Sequence, residues 1–197
     1  MNIILNNILL NKYIYISLFI EIYGDENLTI KEKGLTEKKV FWTPRRIARM
    51  AIFIALSAVG ALIKIPSPTG TVAMDSVPGY FSVLAWGYLE GAIVISLGHI
   101  FTSATVGFPL GIPMHLLIAI SMMVWAAMLR WFTFKIHPIA GILAGTFGNG
   151  VLGAALVIPI GGIGLFYALL LFLVVASFID ITIAAIAYQI VKKTGYI

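Results

Sequence analysis

From residue 46 onward the chain divides, at Gly/Pro clusters and at charges, into six mainly apolar stretches. They run over residues 46–63, 77–88, 91–106, 114–131, 138–158 and 165–191. A helix that crosses a bilayer needs roughly 20 such residues, with a range of about 17–25. The pattern therefore predicts an all-α integral membrane protein, a six-transmembrane-helix bundle. The second stretch is short and needs help from an entry at residues 76–79 or from a locally thinned membrane.

Residues 1–40 break this rhythm. Residues 3–20 are apolar but interrupted by Asn6, Asn7, Asn11 and Lys12, each costly at the centre of a lone helix. No basic start or small-residue cleavage site marks a signal peptide. Residues 21–39 are polar and mixed in charge. The expectation is an N-terminal extension over 1–40, disordered or peripheral to the membrane, followed by a membrane domain over 41–197.

Composition agrees with the pattern. Of 197 residues, 60% are hydrophobic and 11% charged, and the mean hydropathy is +1.02. Soluble domains run at about 45–50% apolar and about 25% charged, so a soluble domain is excluded. Cys is 0, which removes disulfides and thiolate chemistry. The net charge of +5 would suit nucleic acid, but its placement argues against that partner. In residues 1–40, Lys12, Lys31, Lys33, Lys38 and Lys39 are cancelled by Glu21, Asp25, Glu26, Glu32 and Glu37. The excess lies at the turns of the apolar region, where basic residues mark the cytoplasmic side. Arg45, Arg46 and Arg49 precede the first span, Arg130 and Lys135 follow the fourth, and Lys192 and Lys193 follow the sixth. With N and C termini both cytoplasmic, every one of these falls inside and only Lys64 falls outside. Glu90, in the remaining inner turn, weighs little in this rule. The location expected is the cell (plasma) membrane, with several passes.

The outer connections then hold most of the proline (Pro66, Pro68, Pro78, Pro109, Pro113, Pro159), together with Gly70, Gly79, Gly107, Gly111, Gly161, Gly162 and Gly164. Non-helical backbone at membrane depth survives where it is buried in protein or lines a cavity. A binding cavity open to the outside is one reading, and ordinary turns rich in Gly and Pro are the other. The longest connection, residues 64–76, has the length and stiffness of an outer lid loop. Asp75 or Ser76 in it can cap the second helix, with Pro78 in the first turn, or Asp75 can meet a ligand.

At 1.5 Å per residue from the inner turns, His99, Asn149 and Asp180 reach similar depths, roughly 13–17 Å. Ala92, Ser96, His99 and Ser103 share one face of the third span, as Ser177, Asp180 and Ala184 do on the sixth. Buried ionisable groups need partners, so a His99–Asp180 hydrogen bond is expected, either closing a cavity floor or serving packing alone. Asn149 belongs to the stripe Gly141, Gly145, Asn149, Gly153, whose glycines let helix backbones touch. His115 starts the fourth span at the outer mouth. The motifs of zinc proteases, serine hydrolases, P-loop proteins and dinucleotide-binding folds are missing, so no enzyme, cofactor or metal site is expected. Without a nucleotide fold, the chain cannot drive transport with ATP by itself.

The first span carries Ala48, Ala51, Ala55 and Ala58, a flat strip fit for another helix, whether a neighbouring span or a foreign one. Six spans, this strip and the outer loop resemble the substrate-binding (S) components of energy-coupling factor (ECF) transporters, over about residues 44–197. The resemblance implies a subunit that captures a vitamin or precursor outside. It docks on a transmembrane coupling protein with two ATPase subunits, then topples in the bilayer to release its cargo. Docking would fall on Ala51 and Ala55. Residues 65–81, Gly98-His99 and the run Gly107-Phe108-Pro109-Leu110-Gly111-Ile112-Pro113-Met114-His115 look most like the α-ribazole branch, which supplies a nucleoside precursor of cobamides.

α-Ribazole joins a benzimidazole to ribose, and an apolar cavity with a few polar groups suits it. Tyr80, Phe81 and Phe108 are then candidates to stack on the ring, and Thr71, Asp75, His115 and Asn149 to hold hydroxyls. His99 and Asp180 close the floor or touch the ligand. The competing readings are an S component for biotin or a cobalamin-like ligand, and a stand-alone ion-coupled permease with His99 and Asp180 as a proton relay.

Overall fold

The computed structural model describes residues 42–67 and 70–197, with the side chains of 64–73 outside the description. The extension expected over 1–40 lies outside the described residues. Residues 49–197 form one compact unit. Of the residues before it, 42–48 are described, and there the Thr43 hydroxyl accepts a hydrogen bond from the Arg46 N–H at 3.3 Å.

The described residues form helices α1 (Pro44–Gly60), α2 (Val77–Ala85), α3 (Tyr88–Thr105), α4 (Ile112–Lys135), α5 (Pro138–Ala155) and α6 (Ile158–Lys193). Three of these, α4, α5 and α6, are long and apolar enough to cross a membrane. Their outward surfaces are greasy: Ile120 on α4 is 61% exposed and Leu171 on α6 is 68% exposed. Water would penalise such surfaces, whereas lipid tails accept them. The chain is a membrane protein.

The helix expected over 77–88 is shorter than its apolar run. α2 has 9 residues, about 13–14 Å of helix, against roughly 30 Å of hydrocarbon. It ends because Gly87, at φ 112°, takes a backbone conformation that side chains resist. α3 then folds back against it. A Cβ on Gly79 would lie 2.5 Å from the Ile95 Cβ, so the two helices meet with almost nothing between them. Arg130 of α4 serves the cut end of α2, donating to the carbonyls of Val83 (2.5 Å) and Leu84 (3.0 Å). A cation on orphan carbonyls stabilises a helix C-terminus.

The connection read from the sequence as a loop is a β-hairpin: β1 (Lys64–Ser67) pairs antiparallel with β2 (Gly70–Ala73), Lys64 opposite Ala73 and Ser67 opposite Gly70. The Met74 N–H extends the ladder to the Ile63 carbonyl at 3.1 Å. Both strands lie against α6.

The fourfold glycine stripe on α5 is interrupted. Phe147–Leu152 is a π-helical turn, so Asn149 is rotated out of the register that links Gly141 and Gly145. Single π turns inside α-helices collect at functional sites. In α6, Gly162 has φ 68°, a break inside the stretch expected to be an outer turn.

The core packs Tyr80, Phe81, Val83 and Leu84 of α2 against Ile95, Met122, Ala126, Leu129 and Ile181. α1 joins through Phe53, whose ring stacks on Phe81 at 5.3 Å and meets Trp86 edge-on at 4.7 Å. Its Ser57 is buried where a Cβ on Gly98 would come within 2.5 Å of the hydroxyl. At the same end as Trp86, Arg49 donates to both oxygens of Glu90, at 2.7 Å each, with its guanidinium 4.9 Å from the Trp86 ring centroid. Glu90 is 1% exposed. Arg49, one of the basic residues that mark sidedness in the sequence, is thus ion-paired with a buried carboxylate.

Candidate functional site

A cavity of about 160 Å³ opens among α3, α4, α5, α6 and the residues that enter α2. Five residues singled out from the sequence line it: Asp75, His99, His115, Asn149 and Asp180. They come from different elements, so the fold and not sequence proximity gathers them. Ser76, Thr102, Ser103 and Ser177 add hydroxyls, Ile118, Met122, Leu169 and Leu173 make apolar wall, and Trp125 adds an aromatic face.

The turn between α3 and α4 places His115. Gly107 (φ 77°), Phe108 (φ 52°) and Gly111 (φ 81°) all lie in the left-handed region, which a residue with a Cβ seldom adopts. The strained Phe108 backbone is held by two bonds: its N–H donates to the Ser103 carbonyl at 2.9 Å, and its carbonyl accepts from Gly111 at 2.7 Å. The turn folds back far enough for the Leu110 N–H to donate to His115 Nε2 at 3.4 Å.

That bond fixes a direction through the cluster. With Nε2 accepting, neutral His115 carries its proton on Nδ1. Nδ1 lies 2.9 Å from Ser103 Oγ and 3.2 Å from His99 Nε2. Ser103 itself donates to the His99 carbonyl at 2.8 Å, so its oxygen is free to accept from His115. The one Nδ1 hydrogen of His115 is shared between Ser103 Oγ and His99 Nε2, so neutral His99 carries its own proton on Nδ1. That atom lies 3.8 Å from Asp75 Oδ2.

The hydrogen bond expected between His99 and Asp180 is absent. The carboxylate facing His99 belongs to Asp75, because the hairpin delivers Asp75 to the α3 face. Asp180 instead accepts the backbone N–H of Ser76, at the start of α2. The expected capping by a side chain of Asp75 or Ser76 is also corrected. Ser76 is the N-cap residue but makes no side-chain capping bond, its hydroxyl donating to Asp75 Oδ1 at 3.2 Å. A carboxylate from across the bundle takes up the helix start.

Burial pushes the Asp75 carboxyl up to about 6, against the pull of the Thr102 and Ser76 hydroxyls. Desolvation disfavours the charged form more than the hydroxyls restore it. The second oxygen of Asp180, Oδ1, is buried without a hydrogen-bond partner. On α5, Asn149 donates through Nδ2 to Ser177 Oγ at 2.8 Å, and this holds its π turn to α6.

Other expected contacts are placed elsewhere. Tyr80 is fully buried in the core rather than stacking at the mouth. Phe81 packs with Phe53 and Trp86. Phe108 meets His115 edge-on, ring centroids 5.6 Å apart, and buttresses that residue. Thr71 sits on β2 opposite Pro66, and its side chain lies outside the description. The aromatic face that does line the cavity is Trp125, which sequence reasoning missed; nothing in a run of apolar residues separates a cavity-facing tryptophan from a lipid-facing one. Ala48, Ala51, Ala55 and Ala58 are exposed along α1, while Met50 and Ser57 are buried. The strip therefore does not serve packing within the bundle.

The family profile described as ECF transporter, substrate-specific component, matches residues 45–191. The chain belongs to this family. No match is found among curated proteins. As the substrate-specific subunit of an ECF transporter it is a transport protein rather than an enzyme. Such subunits bind a small substrate and work with a membrane-embedded module of coupling and ATPase subunits. The match runs from the start of α1 almost to the end of α6, so it takes in the cavity, the hairpin and the alanine strip.

Proposed function

We propose that this S component captures α-ribazole at the outer face of the plasma membrane. Its six helical segments span or line the bilayer with both ends inside, and the hairpin serves as lid. The observation that carries this reading is the convergence of Asp75, His99, His115, Asn149 and Asp180 on one apolar cavity with an indole in its wall. Trp125 offers a face for a benzimidazole, and the polar groups suit ribose hydroxyls. The lid role follows from covalent continuity. β2 runs directly into Asp75 and Ser76, which touch the cavity through His99 and Asp180.

The exposed alanine strip at Ala51 and Ala55 is the docking face for the transmembrane coupling protein, which two ATPase subunits energise. A permease using His99 and Asp180 as a relay is less well supported. Its polar path would have to continue past Asp180, where the described core is Ile181, Ala184, Leu129 and Tyr188.

The test is equilibrium binding of α-ribazole to the full chain in nanodiscs, followed by titration calorimetry. The expected result is saturable binding that an excess of biotin does not displace. Binding of biotin or a cobalamin with no binding of α-ribazole would reassign the substrate.

A further inference from the structure

Asp180 is 3% exposed and lines the cavity. Ser76 supplies one hydrogen bond to its carboxylate, and Oδ1 has none. A buried carboxylate oxygen left unpaired is expensive, and native proteins leave few such groups without a role. A second carboxylate, Asp75, shares the cavity wall and acts on Asp180 electrostatically. Among the described lining residues there is no Lys or Arg. An anion entering here would meet the Asp75 carboxylate and a second acidic group in a low-dielectric wall, with no Lys or Arg among the described lining residues to offset its charge. A hydroxyl or N–H, by contrast, would complete the coordination of Oδ1.

We infer that the cavity selects ligands without negative charge, and that Asp180 Oδ1 accepts a hydrogen bond from a ligand hydroxyl or N–H. Resting on the capture-subunit reading, this adds a rule that the reading lacks: carboxylates and phosphorylated forms are refused. A nucleoside fits the rule and its 5′-phosphate does not. Biotin, a carboxylate at neutral pH, does not fit either. Asp180 has two duties, one oxygen holding the start of α2 and the other holding the ligand. Occupancy of the cavity is thereby tied to the segment that carries the hairpin.

The experiment measures binding of α-ribazole, adenosine, α-ribazole 5′-phosphate and biotin to the full chain in nanodiscs at neutral pH, then repeats it with Asp180→Asn. The tightest probe is expected to be one of the two nucleosides. The phosphate should bind at least tenfold more weakly than α-ribazole, and Asp180→Asn should weaken the best nucleoside about tenfold, since the amide puts an NH2 where one carboxyl oxygen stood. The comparison between neutral and anionic probes uses the unsubstituted chain and so does not depend on the variant folding. Tightest binding of biotin or the phosphate, or no probe weakened by Asp180→Asn, overturns the inference. Adenosine binding that depends on Asp180, without α-ribazole binding, removes the substrate assignment and leaves the inference standing. α-Ribazole binding that is equal in both chains does the reverse.

Discussion

Asp75 Oδ2 lies 3.8 Å from His99 Nδ1, so the residue that ends the hairpin faces the helix that walls the cavity. Asp75 and Ser76, which follow the hairpin in the chain, are lining residues of the cavity. Replacing Asp75 with Asn keeps the shape and removes the carboxylate that lies beside His99 in the cavity wall. The expected outcome is about a tenfold loss of α-ribazole affinity, measured by titration in nanodiscs, with the melting temperature held near that of the unsubstituted chain.

The same carboxyl gives a pH signature. Its pKa is raised from 3.8 to about 6. A carboxyl raised by folding favours the folded state most below its unfolded value, and that contribution is lost as pH rises through the folded one. His99 and His115 of α3 and α4, Asp180 of α6 and the hydroxyls of Ser76 and Thr102 face it, so the signal is read by difference. Between pH 4 and pH 7, the unsubstituted chain should lose more thermal stability than Asp75→Asn, by about 1–3 kcal/mol. Parallel curves for the two proteins would remove the buried, proton-holding role from Asp75.

At the other end, Arg49 and Glu90 form a two-pronged pair, 2.7 Å on each side. Arg49→Met takes the guanidinium away from a buried carboxylate and should cost about 3–5 kcal/mol. Adding Glu90→Met should restore most of it, because removing both charges removes the desolvation cost as well. Thermal denaturation in detergent of the two single variants and the double variant measures the coupling.

Close packing of α1 on α3 is tested by Gly98→Val. The new Cβ would sit 2.5 Å from Ser57 Oγ, and overpacking of this kind typically costs about 1–3 kcal/mol. Ser57→Gly should relieve part of that. Full stability in the single variant would mean that α1 shifts freely on α3.

These residues show where the sequence was legible. The apolar runs gave the helices, because hydropathy acts locally, but Gly87 lay inside the stretch 77–88 and its ending of α2 was not read. His99, His115, Asn149 and Asp180 stood out because polar groups at membrane depth are rare, and all four reach the cavity. Their partners were not legible. Asp75 took the place beside His99 expected for Asp180, because a hairpin, invisible in a Pro/Gly-rich stretch, carries it there. The π turn at Phe147–Leu152 shifts register by one residue without any motif. Arg49 could be read only as a topology marker and Glu90 only as an inner-turn residue, since pairing across 41 positions is a property of the packed bundle.

The alanine strip gives a prediction that separates binding from transport. Ala51 and Ala55 are exposed, so Ala51→Trp should leave α-ribazole affinity unchanged and abolish uptake in cells that contain the ATPase module. Intact uptake would move the docking face elsewhere.

The most direct test of the central claim uses sealed vesicles containing this chain alone, or this chain with the coupling protein, both ATPase subunits and ATP. Labelled α-ribazole is followed over time. Saturable binding without accumulation by the chain alone, and concentrative uptake once the module is present, is the predicted result. Accumulation above equilibrium by the chain alone, driven by an ion gradient, would contradict the account.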